Sequence, residues 1–386
     1  MGLGVLEDRS SLQHVPGTVF LNDSAGDAGG AAHELEHGSG KDANIVLSPQ
    51  PSEDPSDPLN WPMWQKEVII GILSLGAMLN AGTNGPLLNA SYLSIAEDLQ
   101  TDLTTVVLAS GHNLLAAGCI GPFVAAFSRK LGKRPVFLVS TLFAIIGTAV
   151  GEAEVSYTYL LAARIIQGFS TSAFESLIVA TVGDIYFVHH RGLRTSSLAS
   201  IICGLVFADL GYLWLFHLFQ ILLVIQFEAM FLFCPETTYN RDSRYKTDET
   251  KHEKLDELAK VEMRHHEEAL TSSDLPKKKT FVQSLAVWTG VYLPDSIFKF
   301  LLGPFITLLN PAALYAIIVS GLLNSWYVGS AIILAGIFAG PPWMYGPASI
   351  GYFGAGPFIG GMIGSIFVGW LSDTVIKWIS KRNGGT

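Results

Sequence analysis

The stretch YLLAARIIQGFSTSAFESLIVATVGD, residues 159–184, decides the fold. It is long and apolar enough to cross a bilayer, which takes about 20 such residues, yet Arg164 and Glu175 lie within it. A charge at bilayer depth costs at least ~2.5–3.5 kcal/mol, so the pair needs a purpose. On an α-helix, eleven residues leave these two side chains about 20° apart in azimuth and about 16 Å apart along the axis. They are too distant to bond directly, and they are expected to line one stripe facing a bundle interior or an aqueous cavity.

Working outward, similar runs recur. Spans are expected near residues 68–88, 104–127, 136–151 and 160–185. A compressed pair follows within 196–234, broken only by a turn at 208–212, and then come spans at 312–338 and 350–376. Charged residues make up only 15% of the 386, against about 25% in soluble domains. The chain therefore reads as an all-α multi-span membrane protein. Its 24 Lys and Arg residues test the topology, because basic residues collect on the cytosolic side. The loops 89–103, 152–158, 208–212 and 339–349 hold none, whereas 128–135, 189–194, 235–300 and 377–382 hold many. Eight spans with both ends cytosolic satisfy the rule.

The flanks are polar. Residues 1–60 hold no apolar run of signal-peptide length and read as a disordered cytosolic tail. Within the tail, HELEH (33–37) matches a zinc-protease pattern, but no core surrounds it, so no metal site is expected. The segment 241–280 reads as a solvated cytosolic helix. Its His252, His265 and His266 belong to a charged surface rather than to a metal. Residues 281–309 read as an interfacial helix leading into Pro311, with Trp288 and Lys299 as interface residues. Cys119, Cys203 and Cys234 sit in apolar runs and are expected to be free. The net charge of −9 comes largely from the tail and argues against nucleic acid. Asn89 begins a glycosylation sequon too close to the membrane for use, and the one at Asn22 lies in the tail.

Several motifs then fall in order: DPLNWPMWQK (57–66), GPFVAAFSRKLGKRPVFL (121–138), ARIIQG (163–168), VGDIYFVHHRG (182–192), PETTYNR (235–241) and GWLSDTVIKWISKRNGG (369–385). Together they resemble the major facilitator superfamily, and within it the fungal drug:proton-antiporter-like branch. The resemblance implies a helical bundle of that type: an N-terminal six-helix half (61–235, its fifth and sixth helices shortened), a central cytosolic loop (236–300), and the first two helices of the C-terminal half (301–386). The family fold has twelve helices in two halves around a midplane site, so the chain is expected to be truncated after the eighth. The glycine-rich fifth-helix pattern that antiporters often carry is absent.

The resemblance further implies secondary transport of a small organic molecule by alternating access, with protons as the coupling partner, in the plasma membrane or alternatively the vacuolar membrane. It implies no cofactor and no enzymatic activity. A completing partner chain is needed only if the truncation is real, and in that case a non-transporting or partner-dependent protein is the alternative reading. An intramembrane enzyme would need paired aspartates or a Ser/His dyad, and Ser110 and His112 project about 200° apart.

By resemblance, Arg164, Gln167 and Gly168 form the proton-coupling motif, with Glu175 as a candidate titrating carboxylate. Arg129, Gly132, Lys133 and Arg134, with Asp184, Arg191 and Asp373, form the cytosolic gating motifs. Arg129 stands where the family usually has Asp, which puts that residue's usual contact in doubt. Candidate cavity residues are Asn80 and Asn84, paired at i,i+4 on the first span; His112 and Asn113 on the second; and Asn324, Trp326 and Tyr327 on the seventh. Gly111, Gly118 and Gly121, and the glycines of 354–369, are expected to let helices approach closely.

Overall fold

The computed structural model describes residues 51–52, 54–83, 88, 92–186, 212–239, 280–293 and 296–345, with scattered positions from 349 to 375. Among them every regular element is helical. A 3-10 turn, Pro58–Asn60, leads into α1, Met63–Ala77, which continues as a π-helical segment Met78–Thr83. Then come α2 (Tyr92–Asp98), α3 (Leu103–Leu131), α4 (Lys133–Ala153), α5 (Tyr157–Ile185) and α6 (Tyr212–Phe233). After a single turn, Phe281–Ser284, follow α7 (Ile297–Thr307) and α8 (Pro311–Ala339).

Local chemistry sets the boundaries. Asp102 caps α3 by accepting the Thr104 N–H at 3.2 Å. Gly132 ends α3 and begins α4 at a φ of 98°, a conformation that favours glycine. Asn310 caps α8 by accepting the Ala312 N–H at 3.0 Å, and Pro311 occupies the first helical position. Helices α3, α4, α5 and the Phe216–Phe233 part of α6 are each long and apolar enough to cross a membrane. The pair α7 and Pro311–Tyr327 of α8 passes the same test jointly but bends by 80°. Within 281–309, expected to form an interfacial helix, the helical parts are the turn Phe281–Ser284 and α7, and α7 packs against α3. The break expected at 208–212 has its last residue, Tyr212, inside α6, while the preceding residues lie outside those described.

Helix α5 packs along both α3 and α4, and α6 closes over α4 and α1. The interior has two apolar clusters. One gathers Ile69, Leu73, Phe137, Phe174, Leu177 and Met230. The other gathers Leu79, Tyr92, Val106, Leu160, Phe216 and Leu223. Between them lies a polar layer. On α5 the buried run 164–171 separates Leu160 of one cluster from Ala173 of the other, and on α6 Gln226 separates Leu223 from Met230. A non-polar bundle interrupted by polar side chains at mid-depth is how membrane proteins build internal sites.

Composition assigns residues 54–60 to the tail, but they form an ordered strap. The buried Asp57 carboxylate accepts from the Ser52 N–H (3.2 Å), the Ser52 hydroxyl (2.9 Å) and the Leu59 N–H (3.0 Å). Lys66 donates to the Leu59 carbonyl at 2.8 Å, and Tyr239 donates to Asp54 at 2.9 Å. Burial pushes the Tyr239 phenol up from its ordinary pKa. Internal hydrogen bonds rather than apolar period organise this segment, so hydropathy does not reveal it.

Candidate functional site

The centre of the polar layer is Arg164, which is fully buried. Its guanidinium donates to Gln167 Oε1 at 3.3 Å and lies 5.9 Å from the Phe216 ring centroid. Gln167 in turn donates through Nε2 to the Thr148 hydroxyl of α4 at 3.1 Å, and Thr148 donates to its own helix at Ala144. From α3, Asn113 donates to the Arg164 carbonyl at 2.9 Å. Arg164, Gln167 and Thr171 follow an i, i+3, i+7 progression, so α5 presents one polar stripe to its neighbours. Burying a cation without such bonds would cost several kcal/mol or more.

The stripe continues onto α1. Thr171 donates to the Asn80 carbonyl at 2.8 Å, Ser170 donates to Asn80 Oδ1, and Asn80 Nδ2 donates to Gly76 at 2.9 Å. Asn80 sits in the π-helical segment, where the widened turn re-aims backbone groups. Four helices thus meet through hydrogen bonds in one layer. Gly168 has a packing role there. A Cβ at that position would lie 2.8 Å from Ala116 Cβ and 3.2 Å from Ala117 N, and closer still to the Asn113 carbonyl.

The second cluster is at the basic end. Lys133 forms an ion pair with Asp184 of α5. The Glu236 carboxylate, just beyond α6, accepts from the N–H groups of Lys133 (3.0 Å), Arg134 (3.1 Å) and Thr238 (2.8 Å). An anion at the α4 N-terminus is favoured by the helix dipole and fills orphan donors. Arg134 spreads its guanidinium over the carbonyls of Phe231 (2.7 Å), Leu285 (3.1 Å) and Ser284. Tyr292 N–H bonds Lys130 at 3.0 Å, and burial, followed by the Glu236 charge, raises its phenol pKa. Arg129 is exposed at the rim of a cleft of about 440 Å³ that Lys133, Asp184, Tyr239 and Tyr292 also line.

Several expectations change. Arg164 and Glu175 do not share an environment: the first is enclosed, the second exposed. Azimuth places them on one stripe, but burial depends on what stands opposite at each depth, and Phe216 closes only over Arg164. His112 is exposed and bonds its own helix at the Leu108 carbonyl (2.7 Å), so it does not join its neighbour Asn113. Asn324, Trp326 and Tyr327 are exposed on α8. Of the three, only Trp326 lines an apolar groove of about 510 Å³. A Cβ on Gly111 or Gly118 would meet nothing within 4 Å, and the same holds at Gly356, Gly360, Gly361 and Gly364, the described glycines of 354–369, whereas one on Gly121 would contact the Ser172 hydroxyl at 3.4 Å. The tight contacts fall instead at Gly76, Gly147, Gly151 and Gly168. Asn84, Arg191 and Asp373 lie outside the described residues. Glu236, Thr148 and Phe216 are site residues that sequence reasoning did not single out. The recurrence of Arg164, Gln167 and Thr171 at helical spacing was the available signal for the stripe to which Thr148 bonds.

A multi-pass helical bundle with a mid-depth polar layer and an ion-paired basic end defines a polytopic membrane protein of transporter type. The chain belongs to the Major Facilitator Superfamily, whose family model matches residues 72–382. It is 26% identical to an uncharacterized MFS-type transporter of Schizosaccharomyces pombe, over 98% of this chain and 72% of that one. It is 22% identical to the protein HOL1 of Saccharomyces cerevisiae, over 98% and 74%. The MFS antiporter QDR3 of Candida albicans is 29% identical over 52% of this chain and 30% of its own. Among solved structures, the human organic anion transporter MFSD10 aligns with a TM-score of 0.44 at 16% identity, covering 80% of this chain and 72% of that one.

Proposed function

We propose that the protein is a secondary active transporter that moves small organic molecules by alternating access, coupled to protons, with its basic end in the cytosol. The observation that carries this reading is Arg164, a fully buried cation linked to α4 and α3 through Gln167, Thr148 and Asn113. Such intramembrane charge is retained where a protein handles charge or polar solutes. Antiport is supported by the similarity to QDR3, which is called an antiporter. In this reading Arg164 sets the electrostatics of the polar layer, and the exposed Glu175 carboxylate is the group that exchanges protons. Lys133, Asp184, Arg134 and Glu236 hold the cytosolic ends of the helices in one arrangement, which must be released when the bundle rocks.

The test is proton flux in proteoliposomes carrying an imposed pH gradient and a pH-sensitive dye. A panel of organic cations, polyamines and sugars is added in turn. At least one is expected to collapse the gradient with the unaltered protein. Arg164→Lys is expected to slow that flux, and Arg164→Ala or Glu175→Gln to abolish it. Folded protein that moves no member of the panel, with or without a gradient, overturns the reading.

A further inference from the structure

At the end of the bundle opposite the Lys133–Asp184 pair, α4 finishes and α6 begins. There His217 Nδ1 of α6 lies 3.2 Å from Glu152 Oε2 of α4. The imidazole side chain is 49% exposed and the carboxylate 19%. The other carboxylate oxygen, Glu152 Oε1, is buried with no hydrogen-bond partner among the described residues. Two neighbours make the position consequential. Phe216, next to His217, is the ring that covers Arg164. Gly151, next to Glu152, makes room for it, since a Cβ there would sit 2.8 Å from Phe216 Cε1.

We propose that Glu152 and His217 form a proton-binding latch that tightens the α4–α6 seam over Arg164 when the imidazole is protonated. Histidine is the side chain whose charge ordinarily changes between about pH 5 and 8. A proton taken from water by the exposed imidazole turns its bond to the carboxylate into an ion pair, adding the attraction of opposite charges. No other atom changes hands. The latch therefore closes as pH falls and loosens as pH rises.

Among the described residues, neighbouring titratable groups are few. Glu154 follows the last residue of α4, and α5 brings Tyr157 and Tyr159 at its start and Arg164 behind the Phe216 ring. Helix α2 carries Tyr92, which packs in the same cluster as Phe216 and donates to the Ser110 hydroxyl, together with Glu97 and Asp98, and α3 starts after Asp102. The π-helical segment holds no titratable residue, and the Lys66 and Glu67 of α1 lie toward its other end. On α6 itself the others are Tyr212, five positions before, and Glu228, eleven positions on.

The latch rests on the transport reading only for which side of the membrane it faces, so its test needs no transported solute. Hydrogen–deuterium exchange of residues 147–154 and 212–220 is measured on the full chain in nanodiscs at about pH 5.5 and about pH 8, the range over which histidine titrates, and corrected for intrinsic exchange. Protection is expected to be about two- to five-fold greater at the lower pH, the range for a partly exposed ion pair. Glu152→Gln and His217→Gln should each erase that difference while the protection of α3 and α5 is unchanged. Either variant suffices if the other misfolds. A pH difference that survives in the variants, or none in the unaltered protein, overturns the proposal. A failed transport assay leaves this measurement intact.

Discussion

Replacing Gly168 by alanine separates helix packing from helix propensity. The added methyl would stand 2.8 Å from Ala116 Cβ and closer to the Asn113 carbonyl, both on α3. Carbon pairs are most stable at about 3.5–4.0 Å, so α3 and α5 must part by roughly 1 Å at this level. A gap of that size forfeits about a quarter to a half of each local dispersion contact. It also strains the Asn113 bond to the Arg164 carbonyl. Overpacking of this kind costs about 1–3 kcal/mol. Gly118→Ala on α3 is the control, because its Cβ would meet nothing within 4 Å. Both changes share the propensity gain of about 1 kcal/mol that alanine has over glycine in a helix. Their difference therefore isolates packing, and Gly168→Ala should be the less stable by about 1–3 kcal/mol. Thermal unfolding of purified protein in one detergent, followed by intrinsic fluorescence, measures the pair. Equal transition temperatures, or a more stable Gly168→Ala, would refute the close approach of α3 and α5.

Two further outcomes concern the basic end. Glu236→Ala strands the N–H groups of Arg134 and Thr238 and leaves the Lys133 N–H only its 3.2 Å bond to the Thr238 hydroxyl. It should lower stability by about 1–3 kcal/mol, the loss for unsatisfied partly buried donors, while Glu236→Gln, which keeps an acceptor, should lose less in the same unfolding assay. Asp57→Ala removes the acceptor that gathers Ser52 and Leu59. Limited proteolysis should then cut within residues 52–60 several-fold faster, with the helices intact. Unchanged cutting would mean that the Lys66 and Tyr239 contacts suffice to hold the strap.

The membrane class and the spans that became α3, α4 and α5 were legible because apolar runs report directly on transfer into a bilayer, and the family was legible from the order of its motifs. Arg164 and Gln167 were legible too, since a charge in such a run has few explanations. Thr148, Ser170 and Thr171 were not, because hydroxyls commonly bond their own helix, as Thr148 does to Ala144, and hide among apolar neighbours. Glu175 was placed with Arg164 from helical angle alone, yet the partner that encloses Arg164 comes from α6, some fifty residues later in the chain. Gly111 and Gly118 failed as packing glycines for the same reason. Spacing within a helix says that a face is smooth, and only the facing helix says whether anything rests on it. Glu236 lay inside a quoted motif, but its role depends on the α4 N-terminus, 103 positions earlier.

That long reach has a consequence for biosynthesis. The Arg134 guanidinium bonds the Phe231 carbonyl 97 residues downstream and the Ser284 carbonyl 150 residues downstream. At about 5–20 residues per second of translation, the second partner emerges roughly 8–30 s after the arginine. For the first two-thirds of that interval a nascent α4 has neither of these carbonyls for its cation, and for the rest it has Phe231 alone. The N-terminal helices can be threaded into the bilayer early, but their basic end is welded shut only when the ribosome has passed residue 285.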